Sequence, residues 1–477
     1  MRYRFLATSA AALFLGCAKQ APAPDAQYVG QWLRSSLSFV RSERLGPPVA
    51  ARISAYGAIA LYEGYASDST SGLRSLAGQM NGLSTLPQRP AGGVDGATVA
   101  AEAVRVVLDS LFRDGFEKTR RTIDSLAAWQ IQDRVAAGVG SELSRRSVAY
   151  GNSLGSALLA WAAEDGFFAT RRKAWTAPKQ RDQWENTVTQ DQFVPIMLSG
   201  ESDLVAPSNP GLAMELERAG ERFVFTNRPK NSAGTTLPTF NPVRPTEPFW
   251  GELRTFALRD ADECRPPAPP AYSERPGSDF WKMGKEFADS IAALTEEKRQ
   301  TALFWADNPV ATGTPGFHWI SVVNLMIDRR KLSAVEAAEL NVLVSVAIAD
   351  AFIGTWKEKY RSMVVRPVAY MHRVFDKHYT TVIPTPPFPE YPSGHSTQSG
   401  AAVRVLIARL GDTLSFADST QVDIGHPPRR FANFTEALKD VAGSRIYAGV
   451  HYVPAVVDGV TQGQCIGDRV LERLVTR

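Results

Sequence analysis

SAVEAAELNVLVSVAIADAFIGTWKEKY, residues 333–360, decides the fold. Ser333 and Glu336 make a capping-box signature, so a helix is expected to start there and run to about Tyr360. Its centre, Leu340 to Trp356, is the longest apolar run in the chain, but Asn341 and Asp350 interrupt it before the ~18 clean residues of a membrane span. A helix apolar on all sides with two polar residues inside reads as the buried centre of a helical protein.

Working outward, helical periodicity covers residues 28–44, 47–67, 96–139, 141–165 and 279–305, then 396–410, closed by Gly411, and 434–449, opened by Asn433 and Glu436. Pro47 and Pro48 stand where a helix can begin. Between Gly166 and Ser278 periodicity fades and 14 of the 31 prolines gather, which reads as a long irregular connection. Phe223-Val224-Phe225 is the best strand signal, and no internal repeat is found. The expected fold is all-α, two packed helix bundles joined by a Pro-rich arm, with the active site in the C-terminal bundle. The domain reading is a 28–278 helical region carrying the arm and a 279–477 catalytic domain. Such an arm is able to wrap a neighbouring subunit, which leaves a homo-oligomer open.

Length and composition agree with a large folded protein: 477 residues, 44% hydrophobic and 21% charged. Lys and Arg number 53 against 49 Asp and Glu, a formal +4 too weak to imply nucleic acid or an anionic membrane. Residues 1–17 have the plan of an export signal: Arg2 and Arg4, an apolar run from Phe5 to Leu15, then Gly16-Cys17. The Gly-Cys ending resembles a bacterial lipoprotein signal, which implies a lipid anchor at Cys17, a flexible 18–27 tether and a place in the periplasm or cell envelope. The other reading is a plain cleaved signal with an incidental Cys. Cys264 and Cys465 then remain, either as a disulfide or as two buried thiols.

Three short segments carry chemistry. Lys359 is followed after six residues by Arg366-Pro367, and Pro367 forbids the helix from continuing, which lets both cations turn inward. Pro392-Ser393-Gly394-His395 precedes a helix, where free N–H groups, a hydroxyl and a side-chain-free glycine form an anion cradle with an imidazole at its rim. Ser444-Arg445 is followed after five residues by His451, and Ser444 and His451, seven apart, are expected on one helical face. Taken singly, each has a plainer reading as a helix cap or a packed core histidine. Ten specified residues in this order and spacing argue against three separate accidents.

Together these segments resemble the superfamily uniting type-2 phosphatidic acid phosphatases, bacterial acid phosphatases and vanadium-dependent haloperoxidases. Pro47 to Arg52, Phe304-Trp305-Ala306-Asp307, Thr385 to Pro389 and Tyr391 to His395 look like its soluble haloperoxidase branch. The resemblance implies that Lys359, Arg366, Ser393, Gly394 and Arg445 hold the oxygens of vanadate or phosphate. His451 is then the ligand to vanadium, or the nucleophile on phosphorus, and His395 the acid or base. It further implies a role for Asp307 near the cradle arginine, against a plain surface Asp. Trp356 and Phe388 are implied as halide-pocket walls, against ordinary core packing.

The function so implied is oxidation of halide by hydrogen peroxide at a His-bound vanadate. The alternative is a periplasmic acid phosphatase that hydrolyses phosphomonoesters through a phosphohistidine and needs no cofactor. A third reading is an oxyanion-binding lipoprotein without turnover. The family often places Asp four residues after the second His, whereas here Ala455 stands there and Asp458 is the next carboxylate. His451 is therefore expected to take its orientation from another group, such as a backbone carbonyl, and the phosphatase reading loses more by this.

Overall fold

The computed structural model describes residues 23–187, 240, 244–309 and 312–477. The export signal with Cys17, the tether up to residue 22, the Phe223–Phe225 strand signal and residues 188–239 and 241–243 of the arm lie outside them. In the first half the helices are α1 (Gln27–Ser42), α2 (Pro47–Ala66), α3 (Gly96–Leu111), α4 (Glu117–Ala136) and α5 (Ser141–Ala163), followed by a single turn at Phe167–Thr170. The second half holds α6 (Asp279–Ala292), α7 (Glu296–Phe304), α8 (Thr314–Arg330), α9 (Ala334–Ser362), α10 (Pro367–Val374), α11 (Gly394–Leu410), α12 (Phe434–Tyr447) and α13 (Val453–Arg473). Among the described residues the one sheet is an antiparallel hairpin, β1 (Phe416–Asp418) with β2 (Arg429–Phe431), so the chain is helical as expected.

Helix α9 sits at the centre. Ser333 Oγ accepts from the Glu336 N–H while the Glu336 carboxylate accepts from the Ser333 N–H, the reciprocal cap read from the sequence. By length and composition α9 and α10 could cross a membrane, but their most apolar stretch is wholly enclosed by protein. Asp350 explains how a carboxylate survives there: it accepts from the N–H groups of Phe256, Ala257 and Leu258 at 2.7, 2.8 and 3.0 Å. One apolar cluster runs from Tyr28 to Leu474 through both halves, with α2 packed along α9.

Two expected helices are each broken in two. The 96–139 pattern stops at Leu111 and restarts at Glu117, because Glu43 from the end of α1 accepts from Phe116 N–H and Thr119 Oγ1, pinning the turn around Asp114-Gly115. The 279–305 pattern is cut after Ala292, and Thr295 caps the new start. Likewise the expected 434–449 helix ends at Tyr447, with Gly449 at φ 81° turning the chain out. His451 therefore lies between α12 and α13, not on a shared face with Ser444, whose hydroxyl donates to Val441 O.

Helices α11 and α13 pack through glycines. A Cβ on Gly459 would stand 2.9 Å from Ser393 O, one on Gly463 2.0 Å from Thr397 O, and one on Gly467 2.9 Å from Ala401 O. This seam brings the Ala455 carbonyl to the Ser393 N–H at 2.9 Å and so fixes the start of α11. Gly463→Ala should destabilise the protein by about 1–3 kcal/mol, since backbone must move to admit one methyl. Chemical denaturation checks it, and a parent-like midpoint would contradict the packing. Cys264 and Cys465 form a disulfide that ties the Pro-rich connection to α13.

Candidate active site

Helix ends converge on one buried place. Met363, at φ 50°, ends α9 one turn after Lys359, and Arg366 then caps α10, whose first residue is Pro367. Ser393 caps α11, Arg445 lies in the last turn of α12, and His451 sits in the short link to α13. Lys359, Arg366, Ser393, Arg445 and His451 are each at most 1% exposed, so bulk solvent screens them little.

Their hydrogen bonds show what is satisfied and what is not. Lys359 Nζ donates to the carbonyls of Pro389, Glu390 and Pro392 at 2.9, 3.0 and 2.6 Å, using all three hydrogens. Arg366 donates from Nε to Phe388 O and from Nη1 to Val450 O, at 2.9 and 2.8 Å. Arg445 Nη1 donates to Trp305 O at 3.0 Å. Arg366 Nη2, Arg445 Nε and His395 Nε2 are buried without any partner. Ser393 Oγ accepts from Ser396 N–H and Ser396 Oγ, which leaves its own hydrogen to give. The Gly394 N–H is at the first position of α11, where a helix offers no acceptor. A Cβ on Gly394 would stand 3.5 Å from the Trp356 ring and 3.9 Å from Lys359 Cε, which places it beside the cations.

The tautomer of His451 follows from its neighbours. Arg366 Nη1 lies 3.3 Å from His451 Nε2, and a guanidinium can only donate, so Nε2 carries the lone pair. Nδ1–H then donates to Glu390 Oε1 at 2.9 Å, and the Tyr452 N–H donates to the same oxygen at 3.0 Å. The orienting group is thus a carboxylate and not the backbone carbonyl expected above. Ala455 is fully buried in an apolar cluster with Phe280, Phe287 and Tyr452, and Asp458 is occupied by the Tyr391 hydroxyl at 2.8 Å. Sequence reading missed Glu390; the available signal was a carboxylate in the loop three residues before Ser393. It also removes the handicap assigned to the phosphatase reading.

Burial and mutual repulsion shape the charges. Lys359 is held well below its ordinary value by burial and by Arg366 and Arg445, while burial brings Arg366 down to about 9 and Arg445 to about 10. His395 and His451 are pushed well below 6.5, first by burial and then by the surrounding cations. Burial lifts Glu390 to about 7 against the pull of Arg366 and Lys359. Three buried cations, unpartnered donors and two neutral imidazoles fit a small multiply charged oxyanion.

Asp307 is 3% exposed, which excludes the alternative of a plain surface residue. Its carboxylate lies 4.0 Å from His395 Nε2 and bonds His318 and Gln421. Trp356 donates to Thr246 O and its ring lies 4.9 Å from Phe388. The Phe388 ring faces Arg366 and Lys359 at 4.8 and 5.0 Å, so these aromatics pack against the cations.

Comparison with known proteins gives a consistent result. The model of the VCPO second helical-bundle domain matches residues 339–476. A vanadium chloroperoxidase of Curvularia inaequalis is 31% identical over 144 residues, and that match spans 24% of this chain and 24% of the relative. The crystal structure of a bacterial vanadium-dependent iodoperoxidase is 30% identical and superposes with a TM-score of 0.76, over 96% of this chain and 98% of that one. A holo-type bacterial vanadium-dependent chloroperoxidase, 17% identical, shares the fold with a TM-score of 0.61 over 90% of this chain and 92% of that one.

Proposed function

The chain belongs to the vanadium haloperoxidase family, and on that premise we propose that it binds vanadate and oxidises halide with hydrogen peroxide and one proton from solvent, giving hypohalous acid and water. The observation that carries this reading is the set of unpartnered buried donors, Arg366 Nη2 and Arg445 Nε, beside the lone pair of His451 Nε2. Arg366, Arg445, the Ser393 hydroxyl and the Gly394 N–H would hold the oxygens, through charge-assisted bonds worth about 1.5–3 kcal/mol each. Lys359 contributes its charge, and His451 Nε2 is the ligand to vanadium. Bound pentavalent vanadium supplies Lewis acidity toward peroxide oxygen without a change of oxidation state.

The protein's own residues do the rest. His395, kept neutral by burial and the nearby cations, takes a proton from entering hydrogen peroxide at Nε2. Glu390 holds His451 in the Nδ1–H tautomer so that Nε2 stays available. Trp356 and Phe388 exclude water around the cations and are the proposed halide walls. The export signal and the disulfide support a place in the cell envelope, with the catalytic residues carried by 279–477.

The test is reconstitution of purified protein with orthovanadate, followed by halogenation of a phenolic dye with iodide, bromide and chloride, in parallel with aryl phosphate hydrolysis. Vanadate-dependent halogenation is expected. Phosphatase activity without it would assign the phosphohistidine chemistry, for which Glu390 equally supplies the carboxylate behind His451. Glu390→Ala should lower vanadate affinity about 10- to 100-fold, as loss of an orienting partner does. Glu390→Gln, whose amide oxygen can still accept from Nδ1–H, should lose less. Equilibrium dialysis measures both, and unchanged affinity in the alanine variant would refute the orienting role.

A further inference from the structure

His318, on α8, is 3% exposed, and both of its ring nitrogens meet carboxylates. Nδ1 lies 2.9 and 3.1 Å from the two oxygens of Asp307, and Nε2 lies 2.8 Å from Asp418 Oδ2 and 2.9 Å from Thr420 Oγ1. Ionised carboxylates only accept, so both nitrogens carry hydrogen and the ring is an imidazolium. Its two aspartates hold it up at about 10 against the effect of burial. The ring stacks on Trp305 at 4.3 Å and 22°. Packing alone asks only for an apolar ring there, and burying one cation with two anions is a costly way to fill the space.

The hairpin gains a purpose from this arrangement. Asp418 ends β1 and Thr420 and Gln421 follow it, so the hairpin delivers three side chains to one buried place. The other end of the chain of contacts is Asp307 Oδ2, which faces the unpartnered His395 Nε2 across 4.0 Å. We propose that His318 is a positioning residue: clamped between Asp307 and Asp418, it fixes the Asp307 carboxylate beside His395 and thereby sets how His395 is aimed and how readily it takes a proton.

The charged surroundings are these. His395 is faced by Arg445 from α12, Lys359 from α9, His318 from α8, and Asp307 and the Ala306 carbonyl from the segment after α7. His318 is faced by Asp307 and Asp418, with His426 beyond the Phe304 ring and Arg41 and Asp423 lining the cleft beside it. Two effects of removing His318 then oppose each other: loss of its charge favours protonated His395, whereas release of Asp307 from the clamp takes away the carboxylate that favours it.

The experiment is nitrogen-15 NMR of the histidine side chains, six in the whole chain, on protein free of vanadate. In the parent, His318 should show two protonated ring nitrogens at neutral pH; a neutral ring would overturn the proposal without any variant. In His318→Gln, whose amide can still hold Asp307, the His395 titration should move to higher pH, and in His318→Phe, which frees Asp307, it should lie below that of the Gln variant. Gln retains a bond to one aspartate and Phe retains the stack on Trp305, so the two variants do not share one route to misfolding. With vanadate restored, kcat should fall about 10- to 100-fold, with its acid limb displaced in step with the His395 titration of each variant and vanadate affinity near the parent's. An unmoved His395 titration, with affinity and thermal stability falling together, would make His318 structural only. The part assigned to His395 in turnover rests on the proposed haloperoxidase chemistry, but the NMR readings use no vanadate, peroxide or halide, so either idea can fail alone.

Discussion

His451→Ala should remove both vanadate retention and turnover, whereas His395→Ala should keep most of the retention and lose the turnover. The first variant deletes the one proposed bond to the metal itself. That costs at least as much as the strongest hydrogen bond around it, about 3 kcal/mol or some 10²-fold in affinity, and it leaves Glu390 without the Nδ1–H it accepts. The second variant touches no donor of the cradle; it removes a neutral base, whose loss typically lowers a rate by about 10²–10⁴-fold. Dialysis against vanadate and halogenation rates on the same preparations separate the two effects. Equal loss of affinity in both variants would contradict the division of labour.

The same two histidines make the anion-free protein sensitive to acid. Both are held well below 6.5 in the fold, while in the unfolded chain they protonate near that ordinary value. As pH falls below about 6.5 the unfolded state binds more protons than the folded state, so stability declines in that direction. Melting of the anion-free parent should therefore drop on acidification more steeply than melting of the double alanine variant.

Joint replacement of Cys264 and Cys465 by serine should lower stability by about 3–5 kcal/mol, near the upper end for a disulfide because the bond closes a very long loop, 201 residues in sequence. The bond works with a polar anchor nearby: Glu263 accepts from Arg473 and from the Arg259 N–H, which lowers its pKa to about 2. Denaturant midpoints with and without reductant measure the loss. Vanadate affinity at low temperature should stay close to the parent's, since neither cysteine is among the residues that would hold the anion. A large loss of affinity in protein that still melts cooperatively would show that the connection shapes the site.

Much of this protein was legible in its sequence, for local reasons. The Ser333 and Glu336 cap and the stop imposed by Pro367 are written within a few residues of where they act. What was not legible depends on distant partners. The break before α4 is made by Glu43, and the orientation of His451 by Glu390, 61 positions away. α13 was missed because Gly459, Gly463 and Gly467 weaken a helix pattern, although close approach to α11 is what requires them. The clamp on His318 joins residues about a hundred positions apart, and no spacing rule reaches that far.

Lys359 leaves a consequence for selectivity. Its ammonium is anchored on three carbonyls of one loop, so it acts on a guest through its field, with no direction of its own. Telling one tetrahedral anion from another of equal charge then falls to the planar guanidinium groups and the start of α11, whose geometry alone can sense shape.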